Sequence, residues 1–232
     1  MDNIRREPRP PIGRVRPLVL LGGGLDSTAL LVWLAREARC VVGDLIGVHF
    51  RYGQRAYIQE ATANAYFCYK YGVALRTIDV DLRQIAMSAI LDQALPPLPV
   101  TGNKLEGRNV IFVMMAATLA ATLEYDALFL GYHHEPANAP FPDATEAAVE
   151  DMNRMLGTGY KSLVQVHTPF SHMTRFEIMQ KGYELDPELL EKTHTCYADI
   201  PGGCGSCVHC EQKTVMMTAL KTGMAPELPP NA

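Results

Sequence analysis

Two groups of residues in this chain have types and spacings that can do chemistry. Cys196, Cys204, Cys207 and Cys210 stand as C-x7-C-x2-C-x2-C. Two-residue gaps let successive thiolates turn onto a single ion, and Gly202, Gly203 and Gly205 allow the turns. Four thiolates suit a closed structural Zn2+ site; an iron–sulfur cluster uses the same ligand set and stays open as the alternative. His209, inside the knot, reads as a surface residue. The second group is Gly22-Gly23-Gly24-Leu25-Asp26-Ser27-Thr28, directly after the apolar run Leu18 to Leu21. Consecutive glycines let backbone amides point inward, and such a nest at a helix N-terminus holds phosphate or pyrophosphate. Asp26 and Ser27 add a helix cap or a metal-linked contact. The spacing is neither that of a Walker loop nor G-x-G-x-x-G, and the reading without chemistry is an ordinary strand-to-helix turn.

Other candidates are more widely spread. Arg108, with Asn109, opens a helix after Gly107; its fork suits a phosphate or a carboxylate, and the plain reading is a surface arginine beside a capping Asn109. Tyr52 and Gln54 follow the second strand, where they can stack on and hydrogen-bond a planar base or simply form a turn. Asp143 reads as a cap for the helix after Pro142. His133-His134-Glu135 lacks H-E-x-x-H spacing and reads as a polar loop.

The elements that must position these residues alternate. Strands are expected at Leu18 to Leu21, Leu45 to Phe50, Leu75 to Val80, Ala127 to Gly131 and Leu163 to Val166. Helices are expected after Gly24, over Gln54 to Tyr71, Asn109 to Leu123, Asp143 to Leu156 and Thr174 to Tyr183. The first helix is apolar nearly all round, so it should be packed on both sides. Strand–helix alternation implies right-handed βαβ units and a parallel sheet, an α/β fold. Ligands of such sheets bind beyond the strands' carboxyl ends. Three of these ends carry unusual residues: Gly22 to Ser27, His49 to Gln54, and Gly131 to Asp143. His49 and Gly131 thereby join the nucleotide-binding candidates. Residues 1–17 read as a flexible tail, 18–186 as the α/β domain and 187–232 as a small helical zinc-binding region. Leu91 to Lys104 reads as a long Pro-rich functional loop.

Apolar residues make up 48% of the 232, enough for a substantial core, and the formal net charge is −4. No basic balance points to nucleic acid. No apolar run approaches the roughly 18 residues of a membrane span. The start has no secretory h-region, so a cytoplasmic location and a metal site are expected, not disulfides. Cys40 and Cys68 read as buried thiols.

The glycine segment resembles the SGGxDS loop of the PP-loop, or N-type, ATP pyrophosphatases, which have the adenine nucleotide alpha hydrolase-like fold. Gly22 stands where Ser is usual. A PP-loop followed by the C-terminal four-cysteine pattern resembles the 7-cyano-7-deazaguanine synthase (QueC) family. Tyr52-Gly53-Gln54-Arg55, Gly107-Arg108-Asn109, Phe141-Pro142-Asp143, Thr168-Pro169 and Thr195-Cys196-Tyr197 agree in order, and the resemblance covers Leu18 to Leu220. It implies ATP with Mg2+ at Gly22, Gly23, Gly24, Leu25, Asp26, Ser27, Thr28, His49 and Gly131. It implies a 7-deazaguanine carboxylate near Tyr52, Gln54, Arg108, Asn109 and Asp143, and structural Zn2+ on the cysteines. Asp26, Ser27 and Arg108 are the expected catalytic residues, ammonia the expected nucleophile and a homodimer the expected assembly. Ala144 and Thr145 depart from the family's Cys-Arg after Pro-Asp, and Glu211 and Gln212 from its basic residue after the last cysteine. These departures leave two alternatives. One is a QueC-like antiphage-defence ligase that uses a protein N-terminal amine; the other is a catalytically weak nucleotide-binding interaction subunit.

Overall fold

The computed structural model describes residues 14–38, 44–85, 105–133, 141–160 and 164–223, with positions 8, 88, 90, 91 and 226. Cys40, His134, Glu135, and nearly all of the N-terminal tail and of the Pro-rich loop lie outside these residues. Among the described residues, five strands, β1 (Pro17–Leu20), β2 (Ile46–Arg51), β3 (Ala74–Asp79), β4 (Ala127–Phe129) and β5 (Gln165–His167), form one sheet in the order β3-β2-β1-β4-β5. Every pairing is parallel; Leu18 lies beside Ile46 on one side and Leu128 on the other. The helices are α1 (Leu25–Arg36), α2 (Tyr57–Lys70), α3 (Arg108–Thr122), α4 (Glu146–Gly159), α5 (Arg175–Leu185), α6 (Leu189–Lys192) and α7 (Val208–Thr222).

The period-two alternation of a strand sorts side chains onto the two faces. Val19 of β1 and Phe129 of β4 enter a core with α1, α2 and α5; Leu18 and Leu128 enter a second core with α3 and α4. Burial on both faces explains why β1 and β4 are apolar without alternation. Helix α1 is clasped as its composition requires, with Leu25 and the whole of Thr28 to Leu34 buried. Leu189, Leu190 and Met216 belong to the same core as α1, so the C-terminal region is built onto the sheet domain across residue 186.

Most elements fall within a few residues of their expected limits, with two corrections of detail. Helix α1 starts at Leu25 with Gly24 as an extended N-cap and no side-chain cap, so Asp26, Ser27 and Thr28 lie inside its first turn. Asp143 does not cap the helix after Pro142. Residues Pro142–Ala144 form a separate 3-10 turn, and Thr145 caps α4 by accepting from Ala148 N at 3.2 Å.

Candidate active site and cysteine cluster

Strand β1 is the point where the sheet's winding reverses, with β2 on one side and β4 on the other. That geometry leaves a crevice beyond the strand ends. A cavity of about 310 Å3 opens there. Its floor is the turn after β1, where Gly22, Gly24, Asp26 and Ser27 line it. Gly23 turns beneath with φ +70°, and a Cβ there would lie 2.4 Å from Glu60 Cα, so only glycine lets the turn rest on α2. Gly131, after β4, meets the turn from the other side; a Cβ would stand 2.8 Å from Ser27 N. The Ser27 hydroxyl accepts from Gly22 N–H at 3.1 Å. Leu25 and Thr28 are buried beneath the loop.

The β2 end supplies His49, Phe50 and Tyr52. His49 Nδ1 donates to Leu21 O at 2.8 Å, which leaves Nε2 as an acceptor without a partner among the described residues. Burial lowers the His49 pKa, outweighing the Leu21 hydrogen bond that raises it. Tyr52 is buried against Phe112, and its hydroxyl accepts from Arg108 Nη1 at 3.1 Å. Gln54 does not line the cavity. Its Oε1 accepts from Tyr52 N at 2.8 Å, while Nε2 donates to Phe50 O and to Glu60 Oε2, both at 2.9 Å. The amide is thus occupied in holding the loop, which corrects its expected contact with a base. Asp143 also stays outside the wall; its carboxylate accepts from Asn109 N and Asn109 Nδ2, each at 3.2 Å, and so fixes the start of α3. Arg108 and Asn109 do line the cavity.

Several lining groups had no signal in the sequence reading. Glu60 faces the cavity from α2, and burial pushes its carboxyl up to about 7 despite the Gln54 hydrogen bond. Arg175 enters from the first turn of α5, with Nε 3.5 Å from Asp26 Oδ2 and Nη1 donating to Gln212 Oε1 at 3.1 Å. His209 is not a surface residue. It lines the cavity edge-on to Tyr197, with centroids 4.6 Å apart, and neither ring nitrogen has a partner among the described residues. Burial, helped by Arg175, lowers its pKa to about 4. A Cys-rich segment discloses nothing about which way an intervening side chain faces.

The roof is the segment that leads into the cysteines. His194 N donates to Gly23 O at 2.9 Å, and Thr195, Cys196 and Tyr197 follow along the cavity. The four cysteine sulfurs lie within 4.8 Å of one another, a cluster that can hold a metal ion. Cys204 and Cys210 Sγ are 4.0 Å apart and Cys207 and Cys196 Sγ 3.9 Å. Cys196 Sγ also accepts from Ala198 N and Cys204 N at 3.3 and 3.4 Å, the support that backbone amides give a metal-bound thiolate. Cys68 is buried in the core with its thiol pushed up to about 12 by burial.

A doubly wound parallel sheet with a glycine turn at its switch point and a four-cysteine appendage defines an α/β protein with a crevice at its strand ends and a candidate metal cluster. This chain belongs to the QueC family: the family described as queuosine biosynthesis protein QueC matches residues 16–220. It is 28% identical over 211 residues to the 7-cyano-7-deazaguanine synthase of Chlorobium phaeobacteroides (strain BS1), covering 86% of this chain and 90% of the relative. It is 30% identical over 208 residues to the 7-cyano-7-deazaguanine synthase of Sulfurovum sp. (strain NBC37-1), covering 84% and 90%. Among solved structures, the U34-tRNA thiolase NcsA from Methanococcus maripaludis with its [4Fe-4S] cluster superposes with a TM-score of 0.48 at 18% identity, over 90% of this chain and 66% of that one. No helix among the described residues is long and apolar enough to cross a membrane.

Proposed function

We propose that this chain uses ATP to activate the carboxylate of 7-carboxy-7-deazaguanine and passes the acyl group to ammonia, giving first the amide and then the nitrile. The carrying observation is the glycine turn that lines the crevice beneath Arg108 and Arg175, which come from helices on opposite faces of the sheet. A carboxylate resists nucleophiles; an oxygen bonded to phosphorus is a leaving group. The substrate oxygen attacks the α-phosphorus and pyrophosphate departs. Ammonia then forms the C–N bond as the C–O bond to AMP breaks, and a second adenylation on the amide oxygen prepares loss of AMP and a proton to the nitrile.

The chain's part is to position and to offset charge. Amides of the Gly22 to Ser27 turn hold the pyrophosphate, and the Ser27 hydroxyl turns its proton from Gly24 O, at 3.5 Å, to a phosphate oxygen. Asp26, with Oδ1 unpartnered among the described residues, is placed to hold Mg2+, which supplies charge neutralisation at the phosphates. Arg175 and Arg108 pair with phosphate and substrate carboxylate. Tyr52 and Tyr197 form aromatic walls for the base. The cysteines bind Zn2+. A tetrahedral ion with Zn–S of about 2.3 Å sets its sulfurs about 3.8 Å apart, close to the 3.9 and 4.0 Å observed. A four-iron cluster holds each thiolate on a different iron and so needs a wider set.

Incubation with ATP, 7-carboxy-7-deazaguanine and ammonium, with products weighed by mass spectrometry, tests the reading. Nitrile is expected. Amide alone, or mass added to a protein amine, would establish the conjugating alternative. Absence of ATP turnover with every substrate would leave a nucleotide-binding module.

A further inference from the structure

Glu60 is the acidic group of the cavity that the adenylation chemistry leaves unused. It is brought there by a backbone contact, since the Gly23 turn rests on Glu60 itself. Its carboxylate is aimed by Gln54 Nε2 at 2.9 Å, and Gln54 is in turn locked to Phe50 O and Tyr52 N. Such a chain of bonds fixes a side chain that would otherwise rotate freely on the helix surface.

The charged and titratable groups facing it come from three elements. Arg108 on α3 favours the carboxylate, Asp199 beyond the roof opposes it, and Tyr52 and Tyr197 stand on either side with their hydroxyls held neutral by burial. Burial outweighs the rest, so the carboxyl sits near neutrality, where an acid–base group can both take and release a proton.

The chemistry needs such a group. Ammonia in neutral water is mostly ammonium, and its nitrogen must lose protons as the amide forms. The nitrile step also takes an N–H proton while AMP leaves.

We propose that Glu60 is the general base of the site, taking the proton from the attacking nitrogen as the C–N bond forms and the C–O bond to AMP breaks, and again from the activated amide's N–H as the nitrile forms. This rests on the adenylation reading above. Ammonium first gives one proton to bulk water, leaving the ammonia that binds; in each step the nitrogen lone pair or N–H electrons then go to carbon, the C–O pair leaves with AMP, and the next proton goes to Glu60 and then to water.

The test separates activation from nitrogen transfer in Glu60→Gln, which preserves the Gln54 contact with a neutral partner. ATP–pyrophosphate exchange driven by 7-carboxy-7-deazaguanine is expected to stay within about threefold of the parent. Hydroxylamine, whose weakly basic nitrogen gives its proton to water readily once bonded to carbon, is expected to trap the adenylate as hydroxamate at a comparable rate. Amide formation from ammonium is expected to fall about 10²–10⁴-fold, the usual contribution of a positioned base. The residual rate should track free ammonia as pH rises, whereas the parent, compared at constant free ammonia, should climb through pH about 7 and level off. Glu60→Asp should recover part of the loss. Ammonium use at the parental rate, or equal loss of exchange and hydroxamate, would overturn the role of Glu60. A parent enzyme without exchange would overturn the adenylation reading and this proposal together.

Discussion

At the scale of single residues the glycine turn carries the proposed function, and it was also the most legible feature of the sequence. Its information is local: three glycines, an acid and a hydroxyl between a strand and a helix. The partners that complete it are not local. Glu60 lies 37 positions from Gly23 in an ordinary helical pattern, and Arg175 reaches Asp26 from a helix on the far side of the sheet pattern. Gln54 shows the converse. Its type and place suggested a ligand contact, but only the fold shows its amide consumed by Phe50, Tyr52 and Glu60. Two substitutions follow. Gly23→Ala forces a side chain into φ +70° and into the Glu60 backbone, and a strained, overpacked position costs about 1–3 kcal/mol. Thermal melts should show the lowered stability, and calorimetry a loss of ATP binding. Asp26→Ala removes an acid that is only loosely paired with Arg175. Turnover should vanish while the melting temperature moves by no more than a few degrees; full activity would overturn the nucleotide assignment.

At the scale of elements, the order of strands and helices was readable because each periodic run is long enough to bury a face. The ends were less so, because capping is settled by partners distant in sequence. Asp143 is the instructive case. Pro142-Asp143 before a helix looks like a cap, but Thr145 does that work, and Asp143 instead ties the 3-10 turn to the first residues of α3. The start of α3 holds Arg108 and Asn109 on the cavity wall, so this tie positions the site without touching it. Asp143→Ala should cost about 1 kcal/mol, the value of a lost helix-terminal acceptor. Its signature should be a raised KM for the base-bearing substrate with little change in kcat at saturation. Asp143→Asn, which retains an acceptor oxygen, should recover much of the loss.

At the scale of the molecule, the sheet domain and the C-terminal region are joined by charge as well as by core. Lys70 of α2 pairs with Asp186 at 2.8 Å and also with Glu188, and Tyr71 and Tyr66 donate to the same two carboxylates at 2.8 and 2.7 Å. Burial alone would raise the Asp186 pKa, but the bonds from Lys70 and Tyr71 overcome it and hold the group below its ordinary 3.8. A carboxyl depressed on folding adds stability that is fully present above the unfolded value and is lost as pH falls through the folded one. Asp186→Asn should therefore melt earlier than the parent at pH 7. The gap should close as pH is lowered below 3.8.

The same joint makes the cysteine cluster part of the proposed nucleotide site. Its motif was legible as a metal site from spacing alone, but not its consequence, because nothing in the spacing says where the lead-in segment lies. That segment bonds the glycine turn through His194 N to Gly23 O, and Cys196 itself lines the cavity. Lys213 of α7 closes the other side by donating to Thr193 O at 3.0 Å. Four thiols without an ion lack the bonds that gather them, and metal-binding energy is folding energy in such knots. Removing the ion should free residues 193–210 first, while the large core around α1 keeps the sheet folded. Treatment with a strong chelator should release about one Zn2+ per chain, increase hydrogen exchange at His194 and along the roof, and weaken ATP binding by a large factor, with far-UV dichroism nearly unchanged. Cys204→Ser should reproduce the effect, in soluble or in aggregated form. Chelated protein that binds ATP as tightly as the holo form would show that the roof holds its place on the phosphate turn without the metal.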